Sequence, residues 1–264
     1  MTPFEAFLLG LIQAFTEFLP VSSSGHIELG KAFLNIANAN DLLFTIIVHF
    51  ATVLSTLIVY RNDIWLIIKD LFKFEWNAST QFFIKIVISM IPVGIIGLLY
   101  KDQIELLFQG SVVFVCTMLL ITGTVLAIAS RVKPQEKEIS YMKAFLVGVA
   151  QAIAVLPGIS RSGSTITTAL MLGVKRTEAA RFSFLMVIAP ILGMTLLEVL
   201  ELIETPKALP IGILPLSIGF FTSFIFGIVA CKWMIKIVQK SKLFYFAVYC
   251  WVIGIIGIIA GLIS

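Results

Sequence analysis

Charged side chains are scarce in this chain. Asp, Glu, Lys and Arg make up 13% of its 264 residues, about half the share a soluble domain carries. With 59% hydrophobic residues and a mean hydropathy of +1.05, no soluble core could enclose all the apolar side chains. Lipid must solvate part of them. Short alternating apolar runs are missing too, which argues against a transmembrane barrel. Cysteine is sparse: Cys116, Cys231 and Cys250 lie in apolar runs, form no motif and read as small buried hydrophobes. No Walker sequence, Asp-rich metal motif or zinc-ligand spacing occurs. The first apolar run lacks a basic leader and is flanked by Glu5 and Glu17, so a cleavable signal peptide is not expected. The net charge of +4 and pI near 9.0 do not imply a nucleic-acid partner. The basic residues cluster in a few loops, as in a membrane protein with a defined topology.

What the chain does contain is long apolar runs interrupted in two similar places. Phe4 to Leu19 is apolar but short and stops at Pro20; a second short piece runs from His26 to about Ile36. Neither reaches the about 20 residues of a comfortable span. A pair broken by Pro, Ser and Gly reads as a re-entrant hairpin, tolerated where its tip is buried in protein or lines a cavity. Three full spans follow, about Leu42–Tyr60, Phe82–Tyr100 and Val112–Ser130, separated by loops at 61–81, 101–111 and 131–142. Then the pattern restarts. Tyr141 to Leu156 stops at Pro157, a short piece runs to Gly173, and spans follow at about Phe182–Leu202, Ile211–Met234 and Phe244–Ile263.

The two halves superpose as sequences. Gly10, Gln13, Ala14, Ser22, Ser24 and Gly25 recur 138 residues later as Gly148, Gln151, Ala152, Ser160, Ser162 and Gly163. The expected fold is an all-α polytopic membrane protein with an inverted-topology repeat. Each half is a re-entrant helical hairpin plus three transmembrane helices. The first repeat covers 1–135 (hairpin about 4–36) and the second 136–264 (hairpin about 141–173). A hairpin returns to its own side whereas three spans cross, so the second half starts on the opposite side. Arg61, Lys69, Lys73, Arg131, Lys133, Lys137, Lys143, Lys175, Arg176, Lys236, Lys240 and Lys242 fall on one side. The other side holds only Lys31, Lys101 and Lys207, beside Asp41, Asp102, Glu105 and Glu204. The positive-inside rule then puts both termini outside the cytoplasm. The hairpins enter from opposite faces and their tips meet near mid-membrane, where inverted-repeat proteins place their sites.

The tips carry the chemistry. Leu156 to Thr165 reads Leu-Pro-Gly-Ile-Ser-Arg-Ser-Gly-Ser-Thr. An arginine at membrane depth is costly and marks a functional site by default, and a Pro-Gly break before a new helix offers backbone N–H groups to an anion. Arg161 can grip phosphate oxygens bidentately, or serve as a structural arginine neutralised by Glu17, and the two roles are compatible. The first tip supplies Gln13, Glu17, Ser22, Ser23, Ser24 and His26. Gln13 and Glu17 share a helix face; beside three serines, His26 is a candidate acid, base or nucleophile. His49, in mid-span without polar sequence neighbours, reads as a satisfied core histidine. Gln151 has Val155 where Gln13 has Glu17, so the tips have diverged, one acidic with a histidine and one basic. That pairing suits phosphoryl chemistry.

Two motifs carry a resemblance. Gln13-Ala-Phe-Thr-Glu17-Phe-Leu-Pro-Val-Ser-Ser-Ser-Gly-His26 and Pro157-Gly-Ile-Ser-Arg161-Ser-Gly-Ser-Thr165 resemble the two signatures of the undecaprenyl-pyrophosphate phosphatase family, also called the bacitracin-resistance protein. The resemblance implies removal of the terminal phosphate of C55 isoprenyl pyrophosphate in the bacterial plasma (inner) membrane. The product is the monophosphate carrier of cell-wall sugars. It implies that Glu17, His26 and Arg161 are essential and that Ser23 is a candidate nucleophile. Ser160, Ser162 and Thr165 would bind phosphate, with Gln13, Ser22 and Ser24 joining them at the first tip. A divalent cation, magnesium or calcium, would assist, with Glu17 as its ligand. Gln13 stands where many members have a second glutamate, which puts a two-carboxylate metal site in doubt. The site is expected to open to the outer face. The rival reading is a transporter or flippase of a phosphorylated polyprenyl lipid, since broken helices in inverted repeats also build carriers. The oligomeric state stays open, a homodimer included.

Overall fold

The computed structural model describes residues 1–34, 41–108, 112–133, 135–204, 211–240 and 242–263. Among them the chain is helical throughout, apart from one isolated parallel bridge between Lys137 and Val174. Among the described residues five helices are long and apolar enough to cross a membrane, or six if one bent pair counts as a span. The protein is therefore a multi-pass membrane protein.

Helix α1 (Pro3–Phe18) has Pro3 in its first turn and a reciprocal cap, Glu5 N–H to Thr2 Oγ1 at 3.3 Å and Thr2 N–H to Glu5 Oε2 at 2.7 Å. It stops because Leu19 precedes a proline and is extended (φ −68, ψ 145). Helix α2 (Ser23–Leu34) starts three residues before the expected His26, because Ser22 takes up φ +69 and its Oγ accepts the N–H of Gly25 at 3.3 Å. Ser23 and Ser24 thus belong to the first turn of a helix and not to a loop. The expected end at Ile36 lies outside the described residues.

The spans follow. Helix α3 (Asp41–Val59) is succeeded by α4 (Arg61–Leu71), bent away by 74°. The region expected as a loop at 61–81 thus holds a helix, amphipathic enough to leave Trp65 and Leu66 exposed while Ile67 is buried. Helix α5 (Ala78–Leu99) is capped by Asn77, whose side chain accepts from Thr80 N–H at 2.9 Å. Helix α6 (Lys101–Phe108) replaces most of the second expected loop, and α7 (Val112–Ser130) has the expected bounds.

Helix α8 (Tyr141–Ile153) opens the second half, with Ser140 accepting from Lys143 N–H at 3.3 Å. The chain then turns through Gly158 at φ +93. A Cβ there would collide with the Val115 carbonyl and with Met118 of α7, so glycine is required both by backbone conformation and by space. Helix α9 (Arg161–Met171) starts at Ser160, whose Oγ accepts from Gly163 N–H at 3.0 Å. Helices α10 (Arg176–Met186) and α11 (Ile188–Glu204) adjoin at Val187 and form a span that begins before the expected Phe182. Helices α12 (Ile213–Gln239) and α13 (Leu243–Ile263) complete the chain.

Packing crosses between the halves. Helix α1 lies against α12, which also takes α3; α8 lies against α5; and α7 lies against α13. Phe18, Leu119, Ile166, Phe182 and Met234 meet in one buried cluster, while Ala6, Leu9, Phe44 and Val48 close a smaller one. The outward faces of α5, α12 and α13 keep Ile91, Ile95, Ile225, Val229, Ile255 and Ile259 exposed, as lipid contact requires. Helix α8 approaches α5 so closely at Gly148 that a Cβ would strike the backbone of Ser89, whereas Gly94 of α5 has open space around it. Gly148→Val is expected to cost on the order of 1–3 kcal/mol through forced separation and to lower the thermal aggregation midpoint in detergent. Gly94→Val should leave that midpoint unchanged.

Candidate active site

The two hairpin tips meet through one ion pair. Glu17 sits in the last turn of α1 and Arg161 opens α9, 144 residues away, yet Nη2 of Arg161 donates to Oε1 of Glu17. Glu17 is buried and Arg161 is mostly enclosed, its side chain 23% exposed. A carboxylate and a guanidinium removed from water must pair, because each alone would carry a large desolvation cost. The pairing is incomplete. Nη1 of Arg161 is buried and has no hydrogen-bond partner.

The other carboxylate oxygen is crowded with donors. Oε2 of Glu17 accepts from Ser23 Oγ at 2.7 Å and from Gln13 Nε2 at 3.1 Å. Gln13 Nε2 also reaches Thr52 Oγ1 of α3 at 3.3 Å, and its Oε1 is buried without a partner. His49 of α3 stands with Nε2 3.7 Å from the same Oε2, while its Nδ1 donates to the Thr45 carbonyl at 2.8 Å. His49, expected as a satisfied core histidine, does satisfy Nδ1 within its own helix, but it also stands beside the site carboxylate. Its neighbours in space are polar although its neighbours in sequence are not. One signal could have found it: Thr45, His49, Thr52 and Thr56 recur at helical spacing and line one face of an otherwise apolar span.

The serines act in two ways. Ser22 and Ser160 are caps, each 3.3 Å from the hydroxyl two residues on, Ser24 Oγ and Ser162 Oγ respectively. Ser162 Oγ also donates to the Leu19 carbonyl at 3.2 Å, tying the second tip to the first. Thr165 is buried, with its hydroxyl on the Arg161 carbonyl at 2.9 Å and on Ser183 Oγ at 2.5 Å. It braces the turn that presents Arg161. Thr122 of α7 fastens the same turn, accepting from Ser160 N–H at 3.0 Å and donating to the Gly158 carbonyl at 3.1 Å. Neither Thr122 nor Ser183 carried any signal in the sequence, since hydroxyls are common in apolar helices. His26 has Nδ1 2.8 Å from the Ser22 carbonyl and Nε2 2.9 Å from the Tyr249 hydroxyl of α13. Gln151, the counterpart of Gln13, is buried with both polar side-chain atoms unpaired.

Among the described residues, no group of three or more His, Cys, Asp and Glu side chains gathers. The donors suited to a hard cation are oxygens: the Glu17 carboxylate, the unpaired Oε1 of Gln13 and Ser23 Oγ. This set fits magnesium or calcium held by few protein ligands and completed by phosphate oxygens. It does not form a cage.

Residues 6–256 match the family model described as bacitracin resistance protein BacA. The chain is 52% identical over 263 residues to an undecaprenyl-diphosphatase of Christiangramia forsetii, covering 98% of each. It is 50% identical over 266 residues to one of Parabacteroides distasonis, covering the whole of both, and 41% identical over 271 residues to one of Salinibacter ruber. Matched over nearly its whole length, the chain belongs to the bacitracin resistance protein BacA family.

Proposed function

We propose that this protein is a membrane phosphatase that removes the terminal phosphate of undecaprenyl pyrophosphate and so returns the monophosphate carrier to cell-wall synthesis. The observation that carries the reading is the buried meeting of Arg161 with Glu17, in which one guanidinium nitrogen is committed and the other is not. Arg161 is thereby preset to turn its unpaired Nη1 toward a phosphate oxygen. The curated relatives bear the matching activity in their names.

Ser23 is the nucleophile this geometry favours. Its hydroxyl already donates to Glu17 at 2.7 Å, so the carboxylate is in position to take the proton as Oγ attacks the terminal phosphorus. A bond forms between Oγ and phosphorus. The bond to the bridging oxygen breaks, and its electron pair leaves with undecaprenyl phosphate. Water then splits the phosphoserine, releasing inorganic phosphate and restoring the hydroxyl. Gln13, fastened to Thr52, keeps the Glu17 carboxylate turned toward Ser23. Ser160, Ser162 and Thr165 hold the α9 turn so that Arg161 and the helix N-terminus face the diphosphate. Ser22 and Ser24 do the same for α2. A magnesium or calcium ion held by Glu17 and Gln13 Oε1 would neutralise charge on the transferring group.

The finer architecture belongs to the same reading. The matched caps at Ser22 and Ser160, and the reciprocal packing of α1 on α12 and α8 on α5, support two inverted repeats over 1–135 and 136–264. The charge distribution supports a plasma-membrane location with both termini outside and a site opening outward. An apolar groove of about 340 Å³ beside α1 and α12, lined by Phe7, Phe221, Ile225 and Phe226, is a course for the prenyl chain.

Purified protein in detergent tests the reading through phosphate release from undecaprenyl pyrophosphate without any gradient. Retained binding with no release would leave a carrier. Arg161→Ala is expected to lower turnover on the order of 100-fold to 1,000-fold, and full release by that variant would sink the clamp. Stability should respond separately. Glu17→Ala strands the arginine and is expected to cost about 3–5 kcal/mol, seen as a lower thermal midpoint. Combining it with Arg161→Met should recover much of the loss.

A further inference from the structure

His26 is held from both sides of its ring. The partner of Nδ1 is the Ser22 carbonyl at 2.8 Å, which can only accept, so Nδ1 carries the proton. In the neutral ring Nε2 then has its lone pair outward, and the group facing it is the Tyr249 hydroxyl at 2.9 Å. The tyrosine O–H therefore donates. Its ring plane also runs nearly parallel to that of the imidazole, 11° apart, with the centroids offset at 5.5 Å. Tyr249 belongs to α13, 223 residues from His26. The next residue, Cys250, has its thiol 3.9 Å from the carbonyl of Pro20. One turn of α13 thus meets the first tip at two points, the ring of its histidine and the backbone of its proline.

We propose that Tyr249 is a positioning residue for His26. The Ser22 carbonyl sets the tautomer with the proton on Nδ1, and the tyrosine hydroxyl then covers the Nε2 lone pair, keeps it unprotonated and holds the orientation of the imidazole. His26 is then ready to act through Nε2 once substrate displaces the tyrosine O–H. This rests on the phosphatase reading and extends it by giving His26, the candidate acid or base of the first tip, a part in the reaction beside Glu17 and Ser23. No other hydrogen-bonding side chain is given to Nε2 among the described residues, so the hydroxyl alone decides how that nitrogen is covered.

Diethyl pyrocarbonate acylates unprotonated imidazole and reports the cover directly. In Tyr249→Phe the stack remains but the hydroxyl is gone. The rate of carbethoxylation at His26, followed by peptide mass spectrometry, is expected to rise several-fold. His49, the other of the two histidines, serves as the internal reference and should not change. In the same variant kcat should fall on the order of tenfold through loss of orientation, with KM within about twofold by the same reasoning, because the phosphate clamp is untouched. Tyr249→Leu, which loses the stack as well, should lower kcat further. Equal modification rates in Tyr249→Phe and the parent would overturn the proposal, and so would faster modification with unchanged kcat. If the parent itself releases no phosphate, the phosphatase reading fails and the catalytic role with it, whereas the modification rates still decide whether the bond exists.

Discussion

A buried carboxylate and a buried guanidinium cannot stay apart in a low-dielectric interior. Glu17 and Arg161 come from opposite ends of the chain's design, one closing a helix and the other opening one, and neither has water to solvate it fully. Their attraction draws the two hairpin tips together, and much of the surrounding structure can be understood as holding that meeting point still. Gln13 and Ser23 occupy one face of the carboxylate, and Thr52 and His49 of α3 stand behind them. On the other side Thr122, Ser160 and Thr165 brace the turn that presents the guanidinium. Such a network is stable only when its members are satisfied. The exceptions, Nη1 of Arg161 and Oε1 of Gln13, therefore point to where a ligand's charge would be received.

The two tips are built by the same device and used differently. The first tip has a helix stopped directly before a proline, whereas in the second α8 ends at Ile153, three residues short of the expected Leu156. Each then has a residue in the left-handed region (Ser22 or Gly158) and a serine whose hydroxyl caps the following helix. Both tips thus aim a helix N-terminus inward, where its partial positive charge favours anions. One tip then adds a carboxylate with a serine hydroxyl bonded to it, and the other adds a cation. Where the first has Glu17 the second has Val155, and Gln151 is left without the carboxylate that Gln13 contacts. A shared scaffold has become a pair of complementary halves, which is what transfer of a charged group between two sides of a cleft requires.

Much of this was legible from residues alone because local rules govern it. Apolar run lengths, proline stops and serine caps depend on nearest neighbours, so α7 was bounded as expected and the chain breaks between α1 and α2 and between α8 and α9 fall near the expected places. The start of α2 was misplaced because a serine at φ +69 is not a local preference. It persists because the surrounding packing holds it. The helix α4 was missed for a different reason. Its charge was taken as loop character, whereas a helix at a membrane surface shows both an exposed polar face and exposed aromatics such as Trp65.

The candidate site divides along the same line. The sequence by itself determined the membrane character, the two broken hairpins and the chemical types at their tips, because composition and spacing are properties of the chain. Only the tertiary structure decided that Glu17 accepts from Ser23 while binding Arg161, and that His49 stands beside them. It also decided that His26 is faced by Tyr249. The physical reason is that those contacts join helices far apart in sequence. Which side chain a helix turns toward another depends on crossing angle and register, set where whole helices pack.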